Sequence, residues 1–304
     1  MCSHTSYNQN DWNFGKYSPP PAARGSAFDV TPRSYDHDVA LAVPTSLSPS
    51  KVSAFRDCAL AFRFSAIDRL PEPPSLAAAK GTLVHRALEL LLELPAAERT
   101  IGAAQGLLPR AEIDVLDGEE YAALELSGET RADFVAQARE LVGKYFQLED
   151  PRTVHPEGLE LMLEAEVGGV RLRGIIDRLE RDADGRLVVT DYKTGRVPGE
   201  RFEHGKLGGV HFYAFLCEQV LGERPARIQL YYLAEPVAIV AEPSDQSIRG
   251  LERRVGAIWT AVERACERED FRPKPGRLCD WCAFKAFCPA FGGVPPAPPL
   301  AVAS

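Results

Sequence analysis

The sequence predicts an α/β fold in which a mixed β-sheet is flanked by helices. Three observations predict it. Apolar residues recur at helical spacing over residues 48–150, three strand-like segments lie between residues 156 and 193, and helix, strand and helix patterns then follow. Helices that cover the faces of a sheet are expected from such an order of elements. With 304 residues, 45% of them hydrophobic, the chain can bury one large core or two small ones.

The first half of the chain is predicted to be helical. Ser48 can cap a helix whose first position is taken by Pro49, and apolar residues then share one face. A second helix is predicted over residues 77–94, ending before Pro95. Residues 111–150 are predicted to form further helices with acidic outer faces, since they contain eleven acidic and three basic residues.

The second half is predicted to build the sheet. Two turn signals, Gly168-Gly169 and residues 182–185, separate the first strands. The predicted strands cover residues 158–167, 169–181, 185–193 and 226–235, and the predicted helices cover residues 208–222 and 247–269.

The two ends are predicted to be flexible. Residues 1–44 and 293–304 are rich in small residues and proline and lack periodicity, which leaves residues 45–292 as the folded domain. The N-terminus contains no apolar segment of the kind a secretory signal needs, and no apolar run could span a membrane. Seven cysteines in such a chain favour a reducing cytoplasm. The net charge of −8 argues only weakly against nucleic acid, because residues 111–150 account for all of it.

A pair of carboxylates is predicted at the end of the second hairpin. Folding the strands about Asp184 sets Asp177 opposite Asp191 to within about one residue, and Lys193 shares a face with Asp191. Two acids held that close repel each other unless a cation or a proton lies between them. Mg²⁺ bound by these carboxylates, with a lysine beside it, is the favoured interpretation. The alternative is a surface ion pair of one Asp with Arg178 or Lys193.

Three cysteines near the C-terminus predict a second site. Cys279, Cys282 and Cys288 supply three ligands, whereas a closed protein site needs four. The candidates for the fourth ligand are Cys2, Cys58, Cys217 and Cys266. Cys2 lies in the predicted flexible arm, and Cys266 lies in a helical pattern. Cys58 lies beside the first core helix, so it could join the two ends of the fold. A lone Cys217 in a helix is more typical of the core. Zinc and an iron–sulfur cluster both stay open on spacing alone.

Five motifs in order resemble the RecB-family exonucleases of the PD-(D/E)XK nuclease superfamily. The likeness is greatest to small iron–sulfur members related to AddB and to CRISPR-associated nucleases, and it covers roughly residues 45–292. The motifs are SLSPSKVSAFRDCALAFRF with Cys58, GTLVHRALE with His85, LRGIIDRLE with Asp177, VVTDYKTG with Asp191 and Lys193, and CDWCAFKAFC with Cys279, Cys282 and Cys288.

The resemblance implies a restriction-endonuclease-like sheet and metal-dependent hydrolysis of DNA. It implies that His85, Asp177 and Asp191 bind Mg²⁺ or Mn²⁺, with the Tyr192 carbonyl as a further ligand. It gives Lys193 the task of positioning or activating water. It also implies that the four motif cysteines, Cys58, Cys279, Cys282 and Cys288, hold a [4Fe–4S] cluster that clips the N-terminal part to the C-terminal part, with zinc as the alternative.

The sequence departs from the family at one position. Related nucleases often have Gln-x-x-x-Tyr on the helix after the lysine, and here Tyr213 is present but Gly209 replaces the glutamine. Glu164 and Glu166, on the strand before Asp177, could extend the acidic site, although a solvated strand face is the favoured interpretation.

The favoured function is an exonuclease that acts on single strands or ends in DNA repair, recombination or defence. The alternatives are a nucleic-acid-binding protein with a nuclease fold and little activity, or a zinc-stabilised interaction protein. The chain shows no ATP-binding motif, so any unwinding of duplex DNA would come from a helicase partner.

Overall fold

The structure, a computed structural model, describes residues 41–197 and 200–296, with the side chains of residues 119, 200–208 and 210 left aside. Residues 1–40 of the predicted flexible arm lie outside the described residues. Leu41 is buried, and its N–H donates a hydrogen bond to the Cys266 carbonyl at 3.3 Å. Among the described residues, no helix is both long enough and apolar enough to cross a membrane.

Five strands form one mixed sheet in the order β1-β2-β3-β4-β5. The strands are β1 (Pro156–Val167), β2 (Val170–Arg181), β3 (Leu187–Lys193), β4 (Arg227–Tyr232) and β5 (Val237–Ala241). Neighbouring strands are antiparallel except β3 and β4, which are parallel. Parallel neighbours need a long connection, and a helix provides it here. The α/β class and the first four strands are confirmed, whereas β5 was missing from the prediction.

Eight α-helices surround this sheet within the described part of the chain. They are α1 (Pro49–Asp57), α2 (Ala59–Phe62), α3 (Leu76–Glu93), α4 (Ile101–Leu116), α5 (Glu119–Ala122), α6 (Gly128–Tyr145), α7 (Glu200–Leu221) and α8 (Asp245–Arg268). The predicted start of α1 is confirmed, because the Ser48 hydroxyl accepts a hydrogen bond from the Lys51 N–H at 3.2 Å. Helix α7 connects β3 to β4 and begins eight residues earlier than the sequence pattern indicated.

The two faces of the sheet pack against different sets of helices. Tyr192 and Tyr231 pack with α3, α4 and α6, while Val189 and Leu230 pack with α7 and α8. This follows from the alternation of side chains along a strand. A third apolar cluster joins α2 and the end of α8 to the C-terminal cysteine segment through Phe62, Phe64 and Phe284.

Candidate active site

The second hairpin brings the two predicted aspartates together. Strands β2 and β3 pair with Arg178 opposite Thr190, and continuing this register sets Asp177 opposite Asp191, as predicted. An oxygen of the Asp177 carboxylate, Oδ2, accepts a hydrogen bond of 2.6 Å from the Tyr192 N–H. Asp177 and Asp191 are both buried, with 9% and 3% of their surfaces exposed. Their mutual repulsion is therefore poorly screened by water.

Helix α3 delivers His85 to the end of β3. Its Nε2 lies 3.0 Å from the Tyr192 carbonyl oxygen. A carbonyl oxygen only accepts hydrogen bonds, so Nε2 is assigned as the protonated nitrogen. In the neutral ring, the lone pair on Nδ1 then faces the Asp177 carboxylate, whose Oδ2 is 3.6 Å away. Histidines that bind metals commonly donate their other N–H to a carbonyl in this way, so the donor set fits a divalent cation.

Glu160 completes this group and was not among the predicted residues. The register of β1 against β2 pairs Leu159 with Arg178 and Leu161 with Ile176, which places Glu160 opposite Asp177. Glu160 Oε1 lies 3.8 Å from His85 Nδ1. Folding the first hairpin about its Gly-Gly turn would have identified this residue, by the same argument that paired the two aspartates.

One ligand atom from each of His85, Glu160 and Asp177 lies within 4.8 Å of the other two. Among the described residues, no other set of three His, Cys, Asp or Glu side chains meets this condition. Burial, and then the charge of Asp191, raises the pKa of Asp177 to about 6. Burial, and then the charge of Asp177, raises the pKa of Glu160 to about 7. A divalent cation bound here would relieve this repulsion.

The other predicted acids on β1 lie away from this group. Glu164 and Glu166 are exposed, and Glu164 pairs with Arg171 at 3.4 Å. They form a solvated strand face, which confirms the favoured interpretation of these two residues.

Asp191 and Lys193 form an ion pair at the end of β3. Burial alone would lower the pKa of Lys193, but the Asp191 carboxylate outweighs burial and raises that pKa above its ordinary value. Lys193 is therefore protonated at neutral pH, with 40% of its side chain open to solvent. The ion pair foreseen as the alternative interpretation is present, yet its acid is buried beside a second acid rather than solvated.

The four motif cysteines line one cavity. Cys58, Cys279, Cys282 and Cys288 all contribute to the wall of a cleft of about 1170 Å³, and all four are free thiols. The Gly276 N–H donates a hydrogen bond to Cys279 Sγ at 3.4 Å. Cys217 and Cys266 are instead buried among apolar side chains, which confirms the core assignment of Cys217. Cys2 lies outside the described residues.

The chemistry of these four side chains fits a metal centre. Four thiols in the wall of one cavity are a donor set that zinc and iron–sulfur clusters both use.

A family model of the PD-(D/E)XK nuclease superfamily matches residues 46–289, which is most of the chain. The chain belongs to this superfamily. The expected mixed sheet and nuclease class are thereby confirmed at the level of the superfamily.

Individual relatives of this PD-(D/E)XK protein are more distant. The Gene 69 protein of Mycobacterium phage L5 is 29% identical over 136 residues, which is 44% of this chain and 44% of that protein. The Gene 69 protein of Mycobacterium phage D29 is 23% identical over 271 residues, covering 80% of this chain and 96% of that protein. This chain therefore matches less than half the length of the L5 protein.

Solved structures also align along most of the chain, and one of them illustrates the likeness. It belongs to a Eubacterium rectale protein provisionally named an exonuclease, and it covers 78% of this chain and 87% of that one, with 15% identity and a TM-score of 0.49. The assignment to the PD-(D/E)XK superfamily rests on the family model instead.

The helix beyond the lysine carries the departure from the PD-(D/E)XK relatives. The ring of Tyr213 lies against Gly174, where an added Cβ would come within 3.2 Å of Tyr213 Cε1. Burial, and then the charges of Asp191, Asp177 and Glu160, raises the pKa of Tyr213. A Cβ built on Gly209 would meet nothing within 4 Å among the described residues.

Behind the PD-(D/E)XK centre, a buried arginine that neighbours Asp177 organises a polar network. Arg178 is fully buried and pairs with Glu149 and with Glu180, the latter at 3.0 Å. It also donates hydrogen bonds of 3.0 Å to the Thr190 and Tyr192 hydroxyls. A surface ion pair of Arg178 with an aspartate was part of the alternative interpretation, whereas the structure buries Arg178 and pairs it with two glutamates. The network anchors the residues of β3 that flank Asp191.

Proposed function

We propose that this protein is a metal-dependent deoxyribonuclease of the RecB exonuclease type, acting on single-stranded DNA or DNA ends. The observation that carries the proposal is the convergence of His85, Asp177, Asp191 and Lys193 at one end of β3, in a chain of the PD-(D/E)XK superfamily. An imidazole, two buried acids and an ammonium group together match what phosphodiester hydrolysis requires.

Each side chain has a separate task in this proposal. His85, Asp177 and Asp191 would hold Mg²⁺ or Mn²⁺, which when bound supplies a Lewis acid for the phosphoryl oxygens and for a water. Hydrolysis forms a bond between the water oxygen and phosphorus and breaks one P–O ester bond. Lys193 is protonated, so it offsets negative charge on the phosphoryl group rather than removing a proton. The Tyr192 carbonyl orients the His85 ring.

The test compares degradation of labelled DNA by the wild type and by two variants, Asp191→Asn and Lys193→Ala. We expect the wild type to degrade single-stranded DNA when Mg²⁺ or Mn²⁺ is present, and both variants to lose at least about a hundredfold in rate. Asp184→Asn, at an exposed turn position on the same hairpin, is the matched control and should retain activity. Substrates blocked at the 5′ or the 3′ end distinguish exonuclease from endonuclease action. Equal, undegraded DNA in all four reactions would reject the enzyme assignment.

Gly209 supports a second candidate, a nucleic-acid-binding protein with weak or no activity. The missing glutamine side chain removes a contact that related nucleases use on DNA. This candidate predicts that the wild type binds single-stranded DNA in a gel-shift assay but leaves it intact with either cation. Cleavage that is lost in Lys193→Ala contradicts it.

We further propose that Cys58, Cys279, Cys282 and Cys288 hold a [4Fe–4S] cluster that clips α2 to the C-terminal segment. Their shared cavity and the Gly276 N–H directed at Cys279 Sγ support this. Protein purified anaerobically should be brown and contain about four irons per chain. A colourless protein with one zinc per chain and no iron would reject the cluster and favour a zinc-stabilised fold.

The cellular setting in this proposal is a reducing cytoplasm, where such thiols persist. DNA repair, recombination or defence are the processes proposed for it. Duplex unwinding, where it is needed, is assigned to a helicase partner.

A further inference from the structure

Glu160 combines two unfavourable features in the middle of a strand. Its φ angle is +44°, in the left-handed region that residues other than glycine rarely adopt. The register of the neighbouring pairs, Leu159 with Arg178 and Leu161 with Ile176, also places Glu160 opposite another acid, Asp177. Like charges at directly opposed positions destabilise an antiparallel pair. A neutral residue or a glycine at this position would avoid one or both of these penalties.

The Glu160 side chain extends into the active site. Its Oε1 lies 3.8 Å from His85 Nδ1, the nitrogen that faces Asp177. The side chain is 35% exposed, so the carboxylate can be reached from solvent. Asp191, by contrast, directs its carboxylate to Lys193 and lies outside the group of three ligand atoms. The cation position nearest to His85 is therefore bounded by Glu160 and Asp177.

We propose that Glu160 is a direct ligand of the divalent cation, and that the strand keeps its left-handed backbone there to hold this carboxylate opposite Asp177. The proposal rests on the proposed metal-dependent function and adds a ligand from β1 to those on α3, β2 and β3. A site built from His85, Glu160 and Asp177 offers one nitrogen and two carboxylate groups. That donor set suits Mn²⁺ and leaves other positions for water and phosphate oxygens.

Two substitutions of Glu160 distinguish the effect of its carboxylate from the effect of its backbone conformation. Glu160→Gln removes the charge but keeps a residue that disfavours positive φ. Glu160→Gly removes the charge and also relieves the backbone. Glu269→Gly is the matched control, since Glu269 has φ +51° at the end of α8 and takes no part in the site. Glu164→Gln removes a solvated acid from the same strand and controls for loss of charge alone.

The experiment measures Mn²⁺ binding to the full-length, metal-stripped protein by titration calorimetry and by the electron paramagnetic resonance signal of free Mn²⁺. Thermal unfolding in EDTA is measured alongside. We expect both Glu160 variants to bind Mn²⁺ about tenfold or more weakly than the wild type. We also expect Glu160→Gly and Glu269→Gly each to raise the melting temperature in EDTA by about 2–4 °C. Glu269→Gly and Glu164→Gln should bind Mn²⁺ like the wild type.

Wild-type Mn²⁺ affinity in Glu160→Gln overturns the proposal, because the Glu160 carboxylate would then contribute nothing to binding of the cation. A melting temperature that falls in Glu160→Gly overturns the inference about the backbone. These results are independent of DNA cleavage. A wild type that binds Mn²⁺ through Glu160 but leaves DNA intact would reject the nuclease function and retain the ligand.

Discussion

Replacing Arg178 with methionine removes the positive charge from a fully buried network while keeping much of the side-chain volume. Two glutamates lose their ion-pair partner in this variant. Glu149 and Glu180 expose only 15% and 10% of their side chains. The Tyr145 and Tyr231 hydroxyls would still donate hydrogen bonds of 2.7 Å and 3.0 Å to Glu149. The carboxylates therefore stay partly satisfied but lose their counter-charge.

The expected loss of stability follows from this burial. Removing one partner of a buried ion pair costs about 3–5 kcal/mol, because a charge is left without compensation. For a domain of this size, that corresponds to a fall in melting temperature of about 6–20 °C. Arg181→Met is the matched control on the same strand. Arg181 is 39% exposed and pairs with Glu157 and Glu223, so its loss should cost about 1 kcal/mol or less.

The loss should also depend on pH, in a direction that the network fixes. Burial would raise the pKa of Glu149, but hydrogen bonds and the charge of Arg178 lower it below its ordinary value. A lowered pKa stabilises the wild type above the unfolded-state pKa, and this contribution disappears as the pH falls. Without Arg178 both glutamates hold protons more tightly. The difference in the free energy of unfolding between the wild type and Arg178→Met should therefore be largest at pH 7 and should decrease towards pH 4.

Denaturant unfolding followed by circular dichroism at pH 7 and pH 4 tests these expectations. A loss below about 1 kcal/mol at pH 7, equal to that of Arg181→Met, would refute the assignment of Arg178 as the anchor of the network. A difference in the free energy of unfolding that does not change with pH would refute the electrostatic explanation and indicate a packing effect instead.

Three further predictions concern the two sites. Because the pKa of Asp177 and of Glu160 is raised in the fold, the metal-free protein should lose stability as the pH rises from about 5 to about 8. Mg²⁺ should restore more of this stability at pH 8 than at pH 5. A melting temperature in EDTA that rises with pH would contradict this prediction. Cys58→Ala should lower both iron content and melting temperature, whereas the core variant Cys217→Ala should keep its iron; unchanged iron in Cys58→Ala would remove Cys58 from the proposed ligands. Gly209→Gln restores the side chain that related nucleases carry, at a position where a Cβ meets no described atom within 4 Å, and should tighten binding to single-stranded DNA in fluorescence anisotropy. Equal tightening by Gly209→Ala would trace the gain to the helix, where glycine costs about 1 kcal/mol relative to alanine.

The sequence by itself determined most of the helices, the first four strands and the two hairpins that join β1, β2 and β3. The cap at Ser48, the helices that follow it and the hairpin that sets Asp177 opposite Asp191 all depend on residues close together in the chain. A short turn fixes the register of an antiparallel pair, so the distance between these two acids could be predicted. The first hairpin contained the same information about Glu160, although no sequence pattern indicates its left-handed backbone.

Only the tertiary structure decided how distant residues meet. His85 by itself matched an ordinary, partly buried histidine on a helix, and packing of α3 against the sheet brings its Nε2 to the Tyr192 carbonyl, 107 residues away. A surface pair of Arg178 with an aspartate was the alternative interpretation, yet Arg178 binds Glu149, 29 residues earlier in the segment that follows α6. These contacts depend on how helices pack on the faces of the sheet. That packing is set by the whole apolar core, and local sequence spacing does not encode it.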